Sequence, residues 1–102
     1  EVPMPENRTA QIEASANPSL RIHPNPASAI AQINFDLPVA TTIHLQLFDL
    51  NGRVVKSIKR EQMTAGKYQQ SIRVDDLPEG MYYLNLRYDS GILSEKLLIV
   101  KE

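Results

Sequence analysis

Leu45-Gln46-Leu47-Phe48-Asp49-Leu50-Asn51-Gly52-Arg53-Val54-Val55 alternates apolar and polar residues, breaks at Asn-Gly, and then resumes. A period of two places Ile43, Leu45 and Leu47 on one face of a strand and His44, Gln46 and Phe48 on the other. The first set is the expected core face. Asn-Gly between β-prone runs predicts a two-residue type I′ hairpin, which requires positive φ at both central residues.

The same pattern continues on both sides of this hairpin. Leu20–His23, Ala31–Leu37, Thr42–Leu50, Arg53–Arg60, Tyr68–Val74, Met81–Tyr88 and Ile92–Val100 read as seven short strands. Turn chemistry recurs between them about every 8 to 12 residues, the rhythm of a sandwich or barrel. In Pro24-Asn25-Pro26 two prolines fix φ and remove donors, which ends ladder pairing. The four glycines, at 52, 66, 80 and 91, all fall in turns where positive φ is expected. Tyr82, Leu84 and Leu86 share a face, opposite Met81, Tyr83, Asn85 and Arg87. The stretch Leu77-Pro78-Glu79-Gly80-Met81-Tyr82 resembles a tyrosine corner, in which a buried hydroxyl bonds to the backbone a few residues upstream.

Residues 1–19 read differently. They are polar, carry Pro3, Pro5 and Pro18, and show no sustained period, so they are expected to form an extended linker with a short helical turn at Thr9–Ser15. Asn7-Arg8-Thr9 matches a glycosylation sequon, a tripeptide that also arises by chance. The 102 residues suit one domain. Eleven basic and 12 acidic residues give a net charge of −1, which supplies no field to attract nucleic acid or an anionic membrane. Cysteine is absent, which removes disulfides, thiolate metal sites and cysteine nucleophiles. No apolar run approaches the roughly 20 residues of a membrane span, so no integral membrane segment is expected.

Candidates for chemistry are few. His23 and His44 lie on separate strands without a second ligand at metal-binding spacing. Asp75-Asp76 falls far short of the six or more oxygens a hard cation needs. No serine sits in a nucleophile elbow, and no glycine-rich phosphate loop occurs. The chain is accordingly expected to be neither an enzyme nor a cofactor carrier. Phe48 and Tyr83 are the aromatics placed to be exposed, and an exposed aromatic on a strand more often packs under a loop or marks a protein contact than stacks on sugar.

Six motifs in order carry a resemblance over about four fifths of the chain. They are Pro24-Asn25-Pro26, Phe35-Asp36-Leu37-Pro38, Asp49-Leu50-Asn51-Gly52-Arg53-Val54-Val55, Ala65-Gly66-Lys67-Tyr68, Leu77-Pro78-Glu79-Gly80-Met81-Tyr82 and Lys96-Leu97-Leu98-Ile99-Val100-Lys101. This series resembles the type A C-terminal sorting domain of type IX secretion cargo proteins of Bacteroidetes. His23, where the family often has Tyr, and the acidic Glu102 depart from the pattern.

The resemblance implies an all-β fold, a seven-stranded antiparallel Ig-like β-sandwich over residues 20–102, preceded by the linker. It implies a secretion signal that takes a cargo from the periplasm through the outer membrane to the cell surface or exterior. The implied partners are the type IX translocon and a sortase-like surface peptidase that cleaves in or beside the linker and attaches the cargo to lipopolysaccharide. The residues expected to be read by the translocon are Asp49, Asn51, Gly52 and Arg53 of the hairpin and Lys96, Leu97, Leu98, Ile99, Val100 and Lys101 of the last strand. Pro24, Asn25, Pro26, Gly66, Tyr68, Leu77, Gly80 and Tyr82 are expected to be structural. Two readings stay open for the last strand, a recognition edge or an ordinary core strand. Arg53 is either a solvated cation, a partner of Asp49, or a ligand for a translocon carboxylate. Exposed edges leave room for a strand-swapped or edge-mediated dimer. The competing function is an Ig-like adhesion module that binds carbohydrate or protein.

Overall fold

The structure is a computed structural model that describes residues 17–101. The expected linker, with its helical turn and sequon, lies almost wholly outside them. Seven strands follow: β1 (Ser19–His23), β2 (Ile30–Leu37), β3 (Thr41–Phe48), β4 (Val54–Met63), β5 (Gly66–Arg73), β6 (Gly80–Tyr88) and β7 (Gly91–Ile99). They form a three-stranded sheet in the order β1-β2-β5 and a four-stranded sheet in the order β4-β3-β6-β7. Every strand pairing is antiparallel. In a constant-type immunoglobulin sandwich the fourth strand joins the sheet of the first, second and fifth. Here it pairs with β3 in the other sheet.

Alternation decides which side of each strand is buried. Ile33, Leu37, Ile43, Leu45, Leu47, Leu84, Leu86, Leu97 and Ile99 are all at most 1% exposed and meet between the two sheets. Their partners in sequence face water, as a two-layer sandwich with one core requires. The face assignments for β3 and β6 agree with the sequence reading. Phe48 and Tyr83 turn out to be directly opposed on β3 and β6, and both are half-buried.

Three expectations are corrected. The hairpin between β3 and β4 is not type I′, because no non-glycine residue among those described has positive φ, and Asn51 is therefore excluded. The Gly52 amide donates to the Asp49 carbonyl at 3.0 Å, so Leu50 and Asn51 occupy the turn centre and Gly52, at φ +85°, follows it. A type I turn followed by a left-handed glycine makes a three-residue hairpin with a bulge. Strand β4 also runs to Met63 rather than Arg60, and its register shifts twice against β3, between Leu45 and Gln46 and between Leu47 and Phe48. Bulges of this kind erase the simple period of two. Gly91, finally, has no positive φ. A Cβ there would stand 2.7 Å from the Tyr88 hydroxyl, so close approach rather than backbone conformation favours glycine.

Candidate functional site

The hairpin is organised by one carboxylate. Asp49 Oδ1 accepts the amides of Asn51 at 2.9 Å and Arg53 at 3.0 Å, while the Asp49 amide donates to the Arg53 carbonyl at 2.9 Å. The Arg53 guanidinium stands 3.5 Å from Oδ2 with its side chain 79% exposed. Arg53 thus pairs with Asp49 while its side chain stays largely in solvent. The Arg53 amide foremost, then the Asn51 amide and the guanidinium, outweigh desolvation and hold the Asp49 carboxyl below the usual range. The turn centre presents Leu50, 65% exposed, as an apolar tip. The alternation placed Leu50 at the end of a strand, and only the shifted turn brings it to the surface.

Two tyrosines anchor corners in the same way, Tyr82 at the hairpin end of the sandwich and Tyr68 at the opposite end. In Gly66-Lys67-Tyr68 and Gly80-Met81-Tyr82 the glycines have φ of +153° and +151°. Each tyrosine hydroxyl then donates to the carbonyl four residues earlier, Tyr68 to Thr64 at 2.7 Å and Tyr82 to Pro78 at 2.6 Å. Tyr68 stacks on Phe35 at 5.3 Å between ring centroids. Burial first, and the nearby Asp49 charge second, push the Tyr82 hydroxyl above its ordinary value. Tyr82 is the tyrosine corner the sequence indicates, and Leu77 packs half-buried beside it against the core.

Strand β7 is an edge, and half of that edge is covered. The Asn25 side chain donates from Nδ2 to the Lys96 carbonyl at 2.8 Å and accepts the Leu98 amide on Oδ1 at 3.0 Å. Two residues on, the Ala27 amide donates to the Leu98 carbonyl and the Val100 amide donates to the Ala27 carbonyl, both at 2.9 Å. One amide side chain and one backbone unit thus stand in for a fifth strand along Lys96–Val100. Flanking prolines lack N–H groups, so Pro24 and Pro26 add no unpaired donor to this clasp. Lys101 is tied down as well: its amide donates to Glu79 Oε1 at 3.0 Å and its ammonium to the Asp75 carbonyl at 2.8 Å.

The two halves of the expected recognition set lie at one end of the sandwich. Phe48, Tyr83 and Lys96 form a single cross-strand row, and the hairpin and the end of β7 both project beyond it. Only β6 separates them, roughly two strand spacings or about 10 Å. The corner at Asp75–Glu79 braces the same end, with Lys56 bonded to Asp76 at 3.0 Å and Arg73 to Asp75 at 2.9 Å. The set also divides by accessibility. Leu97 and Ile99 are fully buried, whereas Lys96, Leu98, Val100 and Lys101 face outward or remain partly exposed. Leu97 and Ile99 therefore hold β7 in place and the others form its surface.

Among the described residues no group of three or more His, Asp or Glu side chains is placed to hold a metal, and no helix is long and apolar enough to cross a membrane. Residues 21–101 match the family described as secretion system C-terminal sorting domain, while no curated protein sequence matches the chain. That match takes in β1 from Arg21, the other six strands whole, the hairpin, both tyrosine corners and the clasped edge. The chain belongs to this family: it is a type IX secretion C-terminal sorting domain, a signal for export to the cell surface or exterior that acts through the secretion machinery.

Proposed function

We propose that the translocon reads the end of the sandwich where the hairpin and the outward side of β7 meet. The observation that carries this reading is the bonding of Asn25, Ala27, Asp75 and Glu79 to Lys96–Lys101, which displays the last strand as a fixed surface rather than a loose peptide. Leu50 and Arg53 supply an apolar and a cationic contact at the hairpin tip, and Lys96, Leu98 and Lys101 supply those of β7. Towards Gly91 the clasp stops, and by the antiparallel alternation the outward N–H and C=O groups of Ile92 and Ser94 are left open. A translocon strand, or a second copy in an edge-mediated dimer, would add there.

The cargo, in transit through the periplasm, is carried across the outer membrane by this domain. A sortase-like peptidase then cleaves within or beside the segment before Ser19 and attaches the cargo to lipopolysaccharide. The chain itself catalyses nothing in this scheme. Deleting Leu97–Glu102 from a cargo fusion should leave the fusion in the periplasm, as measured by protease shaving of whole cells. Normal surface delivery of that truncation would sink the reading.

A further inference from the structure

A second feature lies at the far end of the four-stranded sheet. Arg60 on β4, His44 on β3 and Arg87 on β6 occupy directly opposed positions on three adjacent strands. Side chains of opposed residues rise on the same side of a sheet, so two guanidinium groups flank the imidazole from strands about 10 Å apart. Four other cations, Arg53, Lys56, Lys59 and Arg73, each have a carboxylate within 4.0 Å. Neither Arg60 nor Arg87 has such a partner among the described residues.

These three side chains line a depression of about 360 Å³, with Thr42 and Asp89 on its rim. His44 is half-buried in the middle and the arginines flank it, exposed. Asp89 is the one carboxylate on the rim, and no ion pair joins it to either guanidinium. The two guanidinium groups are therefore left without an ion pair among the described residues.

We propose that the Arg60–His44–Arg87 row binds a phosphate-class oxyanion. Strands β4 and β6 stand about 10 Å apart across β3, so a guanidinium on each side can converge on one anion seated over the imidazole. A carboxylate has two oxygens, which one guanidinium fork occupies. A tetrahedral oxyanion offers oxygens to both forks and to the ring N–H together. Beside Arg87 on β7, Ile92 is 48% exposed, where a lipid carrying the phosphate would meet it and a free phosphate would not.

The test is an amide chemical-shift titration of the whole chain with inorganic phosphate, followed by sedimentation with phosphatidylcholine vesicles with and without phosphatidic acid. Shifts should concentrate at Thr42–His44, Arg60 and Arg87 and saturate with an affinity on the order of millimolar. Arg60→Gln with Arg87→Gln should weaken binding at least tenfold, His44→Gln several-fold, and Arg73→Gln, in the other sheet, not at all. Thermal melts of each variant separate lost binding from lost folding, and His44→Gln alone carries the test if the double variant fails to fold. Sedimentation only with phosphatidic acid supports a lipid source, and shifts without sedimentation support a soluble one. Shifts spread over all cations, binding unchanged in the folded variants, or tighter binding of a hexaglutamate peptide than of phosphate would each overturn the proposal.

Discussion

The two edges of the four-stranded sheet are protected by opposite means. Strand β4 is defended by its own sequence: two register shifts against β3, and a run of charge in which Lys56 reaches Asp76 and Lys59 reaches Glu61. Bulges and lysines are common ways to keep an edge from pairing with another chain. Strand β7 runs without a register shift against β6, and Glu95 and Lys96 are its only charged residues. Its C-terminal half is covered from outside, by an asparagine 71 residues away from the carbonyl it bonds. An edge defended by many small devices tolerates the loss of any one. An edge covered by a single clasp depends on it, and can be uncovered.

That difference can be broken most severely in the core beneath β7. Leu97→Ala removes a fully buried side chain and should cost about 2–5 kcal/mol in urea denaturation, whereas Val54→Ala, 48% exposed on β4, should stay within about 0.5 kcal/mol. Equal losses would show that the edges are not energetically distinct. Next in size is the clasp. Asn25→Ala leaves the Lys96 carbonyl and the Leu98 amide without their partner and should cost about 1–2 kcal/mol. The more telling signal is faster hydrogen exchange at Leu98 with little change on β4.

At the β3–β4 hairpin, Gly52→Ala meets no neighbouring atom but must adopt φ near +85°, so the expected cost, from backbone conformation alone, is about 1 kcal/mol. The smallest effect is in acid. Asp49, Asp75 and Asp76 have folded pKa values below their ordinary ones, held down chiefly by the Arg53 amide, the Arg73 side chain and the Lys56 side chain respectively. Stability from a depressed carboxyl is present above its unfolded pKa and fades as pH falls through the folded value. Melting temperature should therefore be flat from pH 7 to about 5 and decline below about 4. Asp76→Asn, which removes the charge partner of β4, should shallow that decline, while a curve unchanged by the substitution would remove the carboxylate from the account.

Much of the fold is legible because it depends on near neighbours. Alternation in Ile43–Leu47 and Tyr82–Leu86 identified the buried faces, and Gly80-Met81-Tyr82 identified its corner. The turn type is harder to read. Asn-Gly promises positive φ twice, but the Asp49 carboxylate captures two amides and moves the turn centre one residue back, which exposes Leu50. The prolines flanking Asn25 marked a break in pairing, yet nothing in the local sequence says which distant strand its amide will meet. The Arg60–His44–Arg87 row is invisible for the same reason. Three residues far apart in sequence become neighbours only through strand order and register, and a bulge in β4 shifts which residue faces His44.

The central claim is that the outward side of β7 is what the secretion machinery reads. Surface delivery of a reporter fused to this chain tests it directly, comparing Lys96→Glu with Leu98→Ser on β7 against Val54→Ser with Lys56→Gln on β4, and checking by thermal melting that both pairs fold. The β7 pair should hold the reporter in the periplasm while the β4 pair delivers it to the surface. Delivery of the folded β7 pair at the level of the unchanged domain would contradict the account.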